Sequence, residues 1–186
     1  MRKLKKNLAW HFVGATLRDG SPIPPDGKWL VFDGKCVMCE SGLHASRNPF
    51  DALQFAPGAT LCLVQIDGIE GEQSDKIVCR RRKIIARMDA TELCRYFAAQ
   101  AALSVAHLWD APDVVLDFLM TGDESLRVAA GVAARDAARD AAWHAARDAA
   151  WDAARVAAWD SERDSARAAF KNEFTQLVHE CFEDFL

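Results

Sequence analysis

The spacing of apolar residues changes near residue 90 of the chain. Before that point, short apolar runs are bounded by Gly, Pro and Asp, a pattern typical of strands and turns. Beyond it, apolar residues recur every three or four positions, which predicts helices, and no Gly or Pro interrupts residues 132–186. The predicted strands are Ala9 to Gly14, Trp29 to Phe32, Thr60 to Ile66 and Lys76 to Met88.

This change predicts an α+β chain with two domains. Residues 1–88 are expected to form a small α+β domain with a mixed or antiparallel sheet. Residues 89–186 are expected to form an Ala-rich helical domain with closely packed helices. Local signals predict three helices: Pro49 to Phe55, Asp89 to about Leu108, and Val114 to Met120.

The ends of these helices follow from capping chemistry. Asn48 suits the N-cap of the first helix, and Pro49 fits its first position because that residue needs no N–H donor. Asp89 is expected to cap the second helix, and Gly122 to end the third. The buried face of the second helix is predicted to contain Leu93, Tyr96, Phe97, Ala101, Val105 and Leu108.

A four-residue unit, Ala-Ala-(Arg/Trp)-(Asp/His/Val), repeats between Ala133 and Asp160. Ala is the strongest helix former, and at roughly 3.6 residues per turn each repeat position follows a slowly winding ridge. Arg and Trp share one ridge, and Asp occupies most of the next. The two Ala ridges would let another helix approach closely.

A straight helix from Glu124 to Leu186 would be roughly 90 Å long, at about 1.5 Å per residue. Such a length exceeds a compact domain of this size, so an interruption is predicted at Asp160-Ser161, where the repeat lapses. A final helix, Phe170 to Phe185, is expected to dock through Phe170, Phe174, Leu177, Cys181 and Phe185.

The Arg/Trp ridge supplies the candidate partner-binding residues, since Trp and Arg often dominate the energy of protein interfaces. They are Trp143, Arg147, Trp151, Arg155 and Trp159. One interpretation is that the ridges bury against the same chain or a second copy, giving a homo-oligomer; another is that they bind a protein partner. The adjacent Asp ridge argues against nucleic acid as the partner.

Composition restricts the partners further. The net charge is −4 and the isoelectric point about 5.7, so no global positive field draws the chain to nucleic acid or anionic membranes. No apolar run approaches the ~20 residues of a membrane span, and the apolar stretch after the basic N-terminus is too short for a signal peptide. We therefore expect a cytoplasmic protein without membrane contact.

A short cysteine motif raises the question of zinc. Cys36, Cys39 and His44 supply three of the four ligands that a structural zinc site needs. The fourth ligand would have to come from a distant residue, such as His11, Cys62 or Cys79. A lone Cys-x2-Cys pair is a weak signal, so no metal site is predicted from it.

The segment Cys39-Glu40-Ser41-Gly42-Leu43-His44-Ala45-Ser46 is followed by Asn48-Pro49-Phe50-Asp51-Ala52-Leu53 and later by Asp75-Lys76-Ile77-Val78. In order and spacing these elements resemble an uncharacterised domain at the N-terminus of many phage and prophage proteins. The resemblance covers about residues 9 to 88 and implies a phage or prophage origin, but no activity. The Ala-rich tetrads are similar in kind to repeats in some bacterial immunity-like proteins.

Two features suggest a candidate ligand site. The Gly-x-His-x-Ser pattern at His44 and Ser46 resembles the NAD-contacting strand of ADP-ribosyltransferase-like folds, which implies a pocket lined by both residues. Arg80 and Arg82, in the run Arg80 to Lys83, could grip a phosphate because Arg offers a bidentate fork. The alternative is that His44 completes a buried hydrogen-bond network under the following turn, and that the basic run is a solvated strand.

The sequence contains no phosphate-binding loop, no paired carboxylates and no nucleophile with an evident base, so no catalytic residue and no cofactor are predicted. The favoured hypothesis is a non-enzymatic, phage- or prophage-derived intracellular binding protein, linked to host defence or counter-defence. The alternative is an ADP-ribosyltransferase-like or nucleotide-binding module centred on His44 and the Arg80–Lys83 strand.

Overall fold

The computed structural model describes residues 4–104, 106–148 and 156–186, with no account of the side chains of residues 108, 138–148 and 156–164. By packing, the chain divides into two units. Residues 1–92 and 171–186 form the first, called here the sheet unit, and residues 93–170 form the second, the helical unit. The predicted domain boundary after residue 88 lies near the first of these limits, and the division into domains stays a prediction.

The sheet unit contains five strands: β1 Leu8–Val13, β2 Leu30–Val31, β3 Leu43–Ala45, β4 Thr60–Glu72 and β5 Ile77–Asp89. Every pairing is antiparallel, in the order β1-β4-β5-β2, and β3 also pairs with β5. Helices follow the sheet in the chain, so the α+β prediction is confirmed.

Strands β4 and β5 form a long hairpin in which Thr60 lies opposite Asp89 and Glu72 opposite Ile77. The predicted β4 ends at Ile66 and is six residues too short, because all residues beyond it except Ile69 are acidic or Gly and carry little strand signal. Pairing with β5 extends the strand through them, past a glycine at φ 64°, Gly68. The three-residue strand β3 was not predicted.

Alternate residues of β1 face opposite sides of the sheet. Ala9 and Val13 belong to an apolar cluster with residues of β3, β4 and β5, including Val64 and Ile84. On the other side, Trp10 lies edge-on to Phe182, with ring centroids 5.1 Å apart. The C-terminal part of the chain therefore covers one side of the sheet.

Helix α1 is Pro49–Leu53 and begins as predicted. The side chain of Asn48 accepts a hydrogen bond from the backbone N–H of Phe50, and Pro49 occupies the first turn. Helix α2 is Thr91–Ser104, and Asp89 accepts hydrogen bonds from the backbone N–H and the hydroxyl of Thr91, so the predicted cap is confirmed.

The predicted buried face of α2 is wrong in part. Among its members Phe97 is buried, but Tyr96 is exposed, and Val105 lies outside the described residues. The aromatic ring of Phe97 lies edge-on to that of Phe170, with ring centroids 6.1 Å apart, so this residue packs α2 against the helix that contains Phe170.

Helix α3 is Asp113–Thr121, and Gly122 ends it as predicted. Gly122 has φ 66°, in the left-handed region that favours glycine, and its N–H donates to the carbonyl of Phe118. Asp123 then caps a short 3-10 turn, Glu124–Leu126, that leads into helix α4, Arg127–Asp148.

Helix α5 is Val156–Cys181 and runs through Asp160-Ser161. The predicted interruption at that dipeptide is therefore wrong. A single Asp-Ser pair costs a helix only a few tenths of a kcal/mol per residue, and the alanines around it compensate. The predicted repeat continues across residues 149–155, which lie outside the described part of the chain.

The end of α5 docks on the sheet unit, in part through the predicted face. The buried side chains are Phe174, Thr175, Val178 and Phe182, so Phe174 is confirmed. Cys181 is exposed and Phe185 is 49% exposed, so the choice of these two was wrong. Beyond Phe174, the buried Val178 and Phe182 each lie one position after the predicted Leu177 and Cys181.

Polar contacts fix this docking. The Lys171 ammonium lies 2.6 Å from the buried carboxylate of Asp51 on α1. The Asn48 amide donates to the Thr175 hydroxyl at 2.8 Å. Asn48, which caps α1, therefore also binds Thr175 of α5.

Within the described ranges, no helix combines the length and the apolar character that crossing a lipid bilayer requires.

Candidate functional site

The basic run Arg80 to Lys83 on β5 contains arginines with a carboxylate partner and one, Arg82, without such a partner among the described residues. Arg80 lies 2.6 Å from the Glu70 carboxylate, and Arg81 lies 3.0 Å from that of Asp67. Both pairs are largely exposed, so water screens them and each contributes little to stability. Arg80, predicted to bind a ligand, already has an acidic partner.

Arg82 differs from its neighbours because it is only 8% exposed. It lies opposite Ile66, on the side of the sheet where Ile84 lies opposite Val64. One guanidinium nitrogen donates to the backbone carbonyl of His44. Among the described residues, no Asp or Glu lies within ion-pair distance of it.

Burial lowers the pKa of Arg82 to about 10, and the thiols of Cys79 and Cys62 oppose this only weakly. The side chain therefore remains a cation at neutral pH. A charge enclosed without a counter-charge is costly, and clusters of such groups are typical of binding sites.

His11 lies on the same side of the sheet as Arg82. It sits between Ala9 and Val13 on β1, whose side chains belong to the apolar cluster. Burial, then the charge of Arg82 and the ring of His44, hold the pKa of His11 well below its usual 6.5. The imidazole is consequently neutral at pH 7. The sequence offers His11 as a distant candidate zinc ligand and does not single it out for the ligand site, although a polar residue on the apolar face of a strand is a usable signal.

Arg82 and His11 both line a small cavity of about 10 Å³, which has room for about one water molecule. Lys28 and Lys83 also contribute to its wall, and the remaining lining side chains are apolar. The wall of this cavity contains no acidic residue. The wall therefore carries the positive charge of Arg82 without an opposing acid.

The predicted ligand residues His44 and Ser46 do not line this cavity. The Nε2 atom of His44 accepts a hydrogen bond from the backbone N–H of Cys39 at 3.1 Å. Cys39 has φ 69°, and the bond holds this left-handed turn in place. Burial is the largest cause that lowers the pKa of His44.

Ser46 is buried and extends the sheet rather than lining the cavity. Its backbone exchanges two hydrogen bonds with that of Trp10, at 2.8 and 2.9 Å. Arg82 is therefore the one predicted ligand residue that reaches the cavity.

Two groups that a zinc site at Cys39 and His44 would need already have other partners. The imidazole nitrogen of His44 that faces this turn is occupied by the Cys39 N–H, and the Lys76 ammonium lies 3.2 Å from the Cys39 sulfur. A cation is thus already beside the thiol. Within the described ranges, no group of three or more His, Cys, Asp or Glu side chains could hold a metal ion.

The predicted partner-binding residues lie mostly beyond what can be described. Trp143 and Arg147 belong to α4 and Trp159 to α5, but their side chains are among those without an account. Trp151 and Arg155 lie outside the described residues altogether. Their role stays a prediction.

Comparison with known proteins gives a match in the sheet region. No curated protein and no solved structure matches the chain. Residues 7–96, which include all five strands, match the family described as Domain of unknown function (DUF7666). This confirms an uncharacterised domain where the sequence indicated one, and a DUF7666 domain therefore covers residues 7–96 of this chain.

Proposed function

We propose that the chain is a non-enzymatic intracellular binding protein whose helical part contacts a protein, with a second copy of itself as the first candidate. The observation that carries the proposal is an exposed apolar pair at the start of α4. Val128 is 76% exposed and Val132 is 48% exposed, one turn apart on the same side of the helix.

The opposite side of α4 is already used within the helical unit. Ala130 is buried, and α3 and α4 pack against each other. Val128 and Val132 therefore face away from this packing, since residues two apart point about 200° apart on a helix. The same row continues as Asp136 and Asp140, so this exposed apolar surface is confined to the first turns of α4, and the alanine pairs form separate rows that suit a partner helix.

The test compares the size of the full chain in solution with that of variants. Val128→Glu/Val132→Glu and, separately, Ala141→Glu/Ala145→Glu/Ala149→Glu are expected to weaken self-association at least tenfold in sedimentation velocity. Met120→Glu is the matched control, because this exposed residue lies on α3 instead. A wild type that is monomeric at every concentration, or variants with unchanged association, would contradict the proposal.

The phage or prophage origin, and a link to host defence or counter-defence, form part of this proposal. They rest on the Cys39–Ala45 pattern and on the Ala-rich repeat. Genes for chains with both features should lie beside integrase or virion genes. A consistent location among unrelated chromosomal genes would remove this part.

The alternative, an ADP-ribosyltransferase-like or nucleotide-binding module, rests on Arg82 because Arg80 and His44 have partners already. Equilibrium dialysis with labelled NAD and cyclic nucleotides separates the two proposals. Retention by the wild type and loss in Arg82→Met would favour the alternative.

A further inference from the structure

The exposed thiol of Cys39 lies against a lysine side chain. The Lys76 nitrogen is 3.2 Å from the Cys39 sulfur. In the described ranges of the chain, no carboxylate lies within ion-pair distance of that nitrogen. A separation of about 3 to 3.5 Å between two reactive atoms is that of a near-attack geometry. A nucleophilic nitrogen therefore lies within reach of an oxidisable sulfur.

Hydrogen bonds fix the turn that presents this sulfur. Val37 and Ser41 exchange two backbone hydrogen bonds, at 2.9 and 3.0 Å, on either side of the turn. Cys39 has φ 69°, and its N–H donates to Nε2 of His44 on β3 at 3.1 Å. The thiol is thus held at an exposed position, where a small oxidant in solution reaches it.

Two contacts position Lys76 on the other side of the pair. Its backbone carbonyl accepts a hydrogen bond from the N–H of Gln73 at 2.8 Å, in the turn between β4 and β5. Its ammonium lies 4.3 Å from the centroid of the Phe55 ring, a favourable cation–π contact. Because both reacting side chains are already positioned, a bond between them costs little further ordering.

We propose that Cys39 and Lys76 form a reversible covalent cross-link when hydrogen peroxide oxidises the thiol. Peroxide transfers one oxygen atom to the sulfur as its O–O bond breaks, which gives a sulfenic acid and one water molecule. The Lys76 ammonium gives a proton to solvent, and the free amine attacks the sulfur. An S–N bond forms, the S–O bond breaks, and the oxygen leaves with one amine proton as a second water molecule. Sulfur is thereby oxidised by two electrons, and the peroxide is reduced to water.

Cys36 is the other side chain in this segment that could react with the sulfenic acid, since a thiol would give a disulfide. The sulfur of Cys36 lies beside Gly42, 3.1 Å from the position that a Cβ atom of residue 42 would occupy. The Cys39 sulfur contacts the Lys76 nitrogen instead. This geometry favours the amine as the second reactant.

The cross-link would join two turns of the sheet unit that are 37 residues apart in the chain. Such a link stabilises the folded state, because it restricts the unfolded chain. The site is independent of the proposed function, since the proposed partner surface lies on α4 in the helical unit. Failure of either one leaves the other intact.

The experiment exposes the full chain to a small molar excess of hydrogen peroxide, followed by alkylation of free thiols, trypsin digestion and mass spectrometry. The wild type should yield a joined peptide pair that contains Cys39 and Lys76, lacks two hydrogen atoms and is not cleaved after Lys76. The melting temperature should rise by several degrees. Dithiothreitol should reverse both changes, because a thiol attacks the sulfur and releases the amine.

Two variants separate the cross-link from other effects of oxidation. Lys76→Arg is the matched control, because it keeps a cation beside the sulfur but removes the attacking amine. It should lose both the joined peptides and the rise in melting temperature. Cys36→Ser should retain both, since Cys36 takes no part in the proposed reaction.

Three results would overturn the inference, and each is read from the wild type or from a conservative variant. They are a disulfide between Cys36 and Cys39 as the product, an oxidised Cys39 whose chain is still cleaved after Lys76, and an unchanged rise in melting temperature in Lys76→Arg. The first two come from the wild type alone, so they count even where a variant does not fold.

Discussion

His11 and Arg82 both line one cavity, and the charge of Arg82 affects the protonation of His11. The pKa of His11 is lowered mainly by burial and secondly by Arg82, so the folded chain resists protonation of the imidazole. His44 on β3 also lowers this pKa, and Lys28 and Lys83 line the same cavity. Every one of these neighbours is neutral or positive, which disfavours a charged His11.

Stability should consequently fall as the solution is acidified. The unfolded chain protonates this histidine near pH 6.5, whereas the folded chain does so only at lower pH. Between those values the unfolded state binds more protons, so the free energy of unfolding drops by about 1.4 kcal/mol per pH unit. Partly buried His44 and His179, whose pKa values burial also lowers, act in the same direction.

Urea denaturation at pH 7.5, 6.5 and 5.5 measures this slope. His11→Gln should reduce it by about 1.4 kcal/mol per pH unit at most. An identical slope in the wild type and His11→Gln would show that His11 protonates equally in both states.

The cysteines should separate into two classes by reactivity. Cys62 and Cys79 are buried, and burial raises the pKa of each thiol to about 11, so few thiolates form at neutral pH. Cys39 and Cys181 are exposed. Iodoacetamide at pH 7.5, followed by peptide mass spectrometry, should label the exposed pair first. Labelling of Cys62 as fast as Cys39 in the folded chain would contradict this assignment.

Among the elements, the C-terminal end of α5 contributes a packed face to the sheet unit. The ring of Phe174 is buried and meets that of Phe50 edge-on at 6.1 Å. Phe174→Ala should lower the free energy of unfolding by about 3 to 5 kcal/mol, because it removes the ring and leaves a cavity. Phe185→Ala is the matched control, since this residue is half exposed and should cost less than about 1 kcal/mol.

Guanidinium denaturation followed by circular dichroism supplies both values. A loss at Phe185 as large as that at Phe174 would mean that the docking face extends to the end of the chain. A negligible loss at Phe174 would mean that α5 contributes little to the sheet unit.

The elements also show what the sequence could predict. Asn48, Asp89 and Gly122 were placed correctly because capping depends on a few adjacent residues. Beyond Phe174, the prediction chose the wrong row of α5, since rows one position apart differ by 100° and both contain apolar residues. Strand β3 was missed because its three residues acquire strand geometry from pairing with β5.

The candidate site was predicted less completely than the fold. The basic run on β5 pointed to Arg82, but its neighbours looked equivalent in the sequence. Only the pairing of β4 with β5 places Glu70 and Asp67 beside Arg80 and Arg81, which leaves Arg82 without an acid. Such a difference depends on long-range contacts that local patterns do not encode.

At the scale of the whole molecule, the sheet unit is assembled from both ends of the sequence. Residues 1–92 and 171–186 pack together, and the Ala-rich repeat lies between them in the chain. The intervening segment therefore leaves the sheet unit after residue 92 and rejoins it at residue 171. A change in the number of alanine tetrads would alter this segment and leave every residue of the sheet unit unchanged.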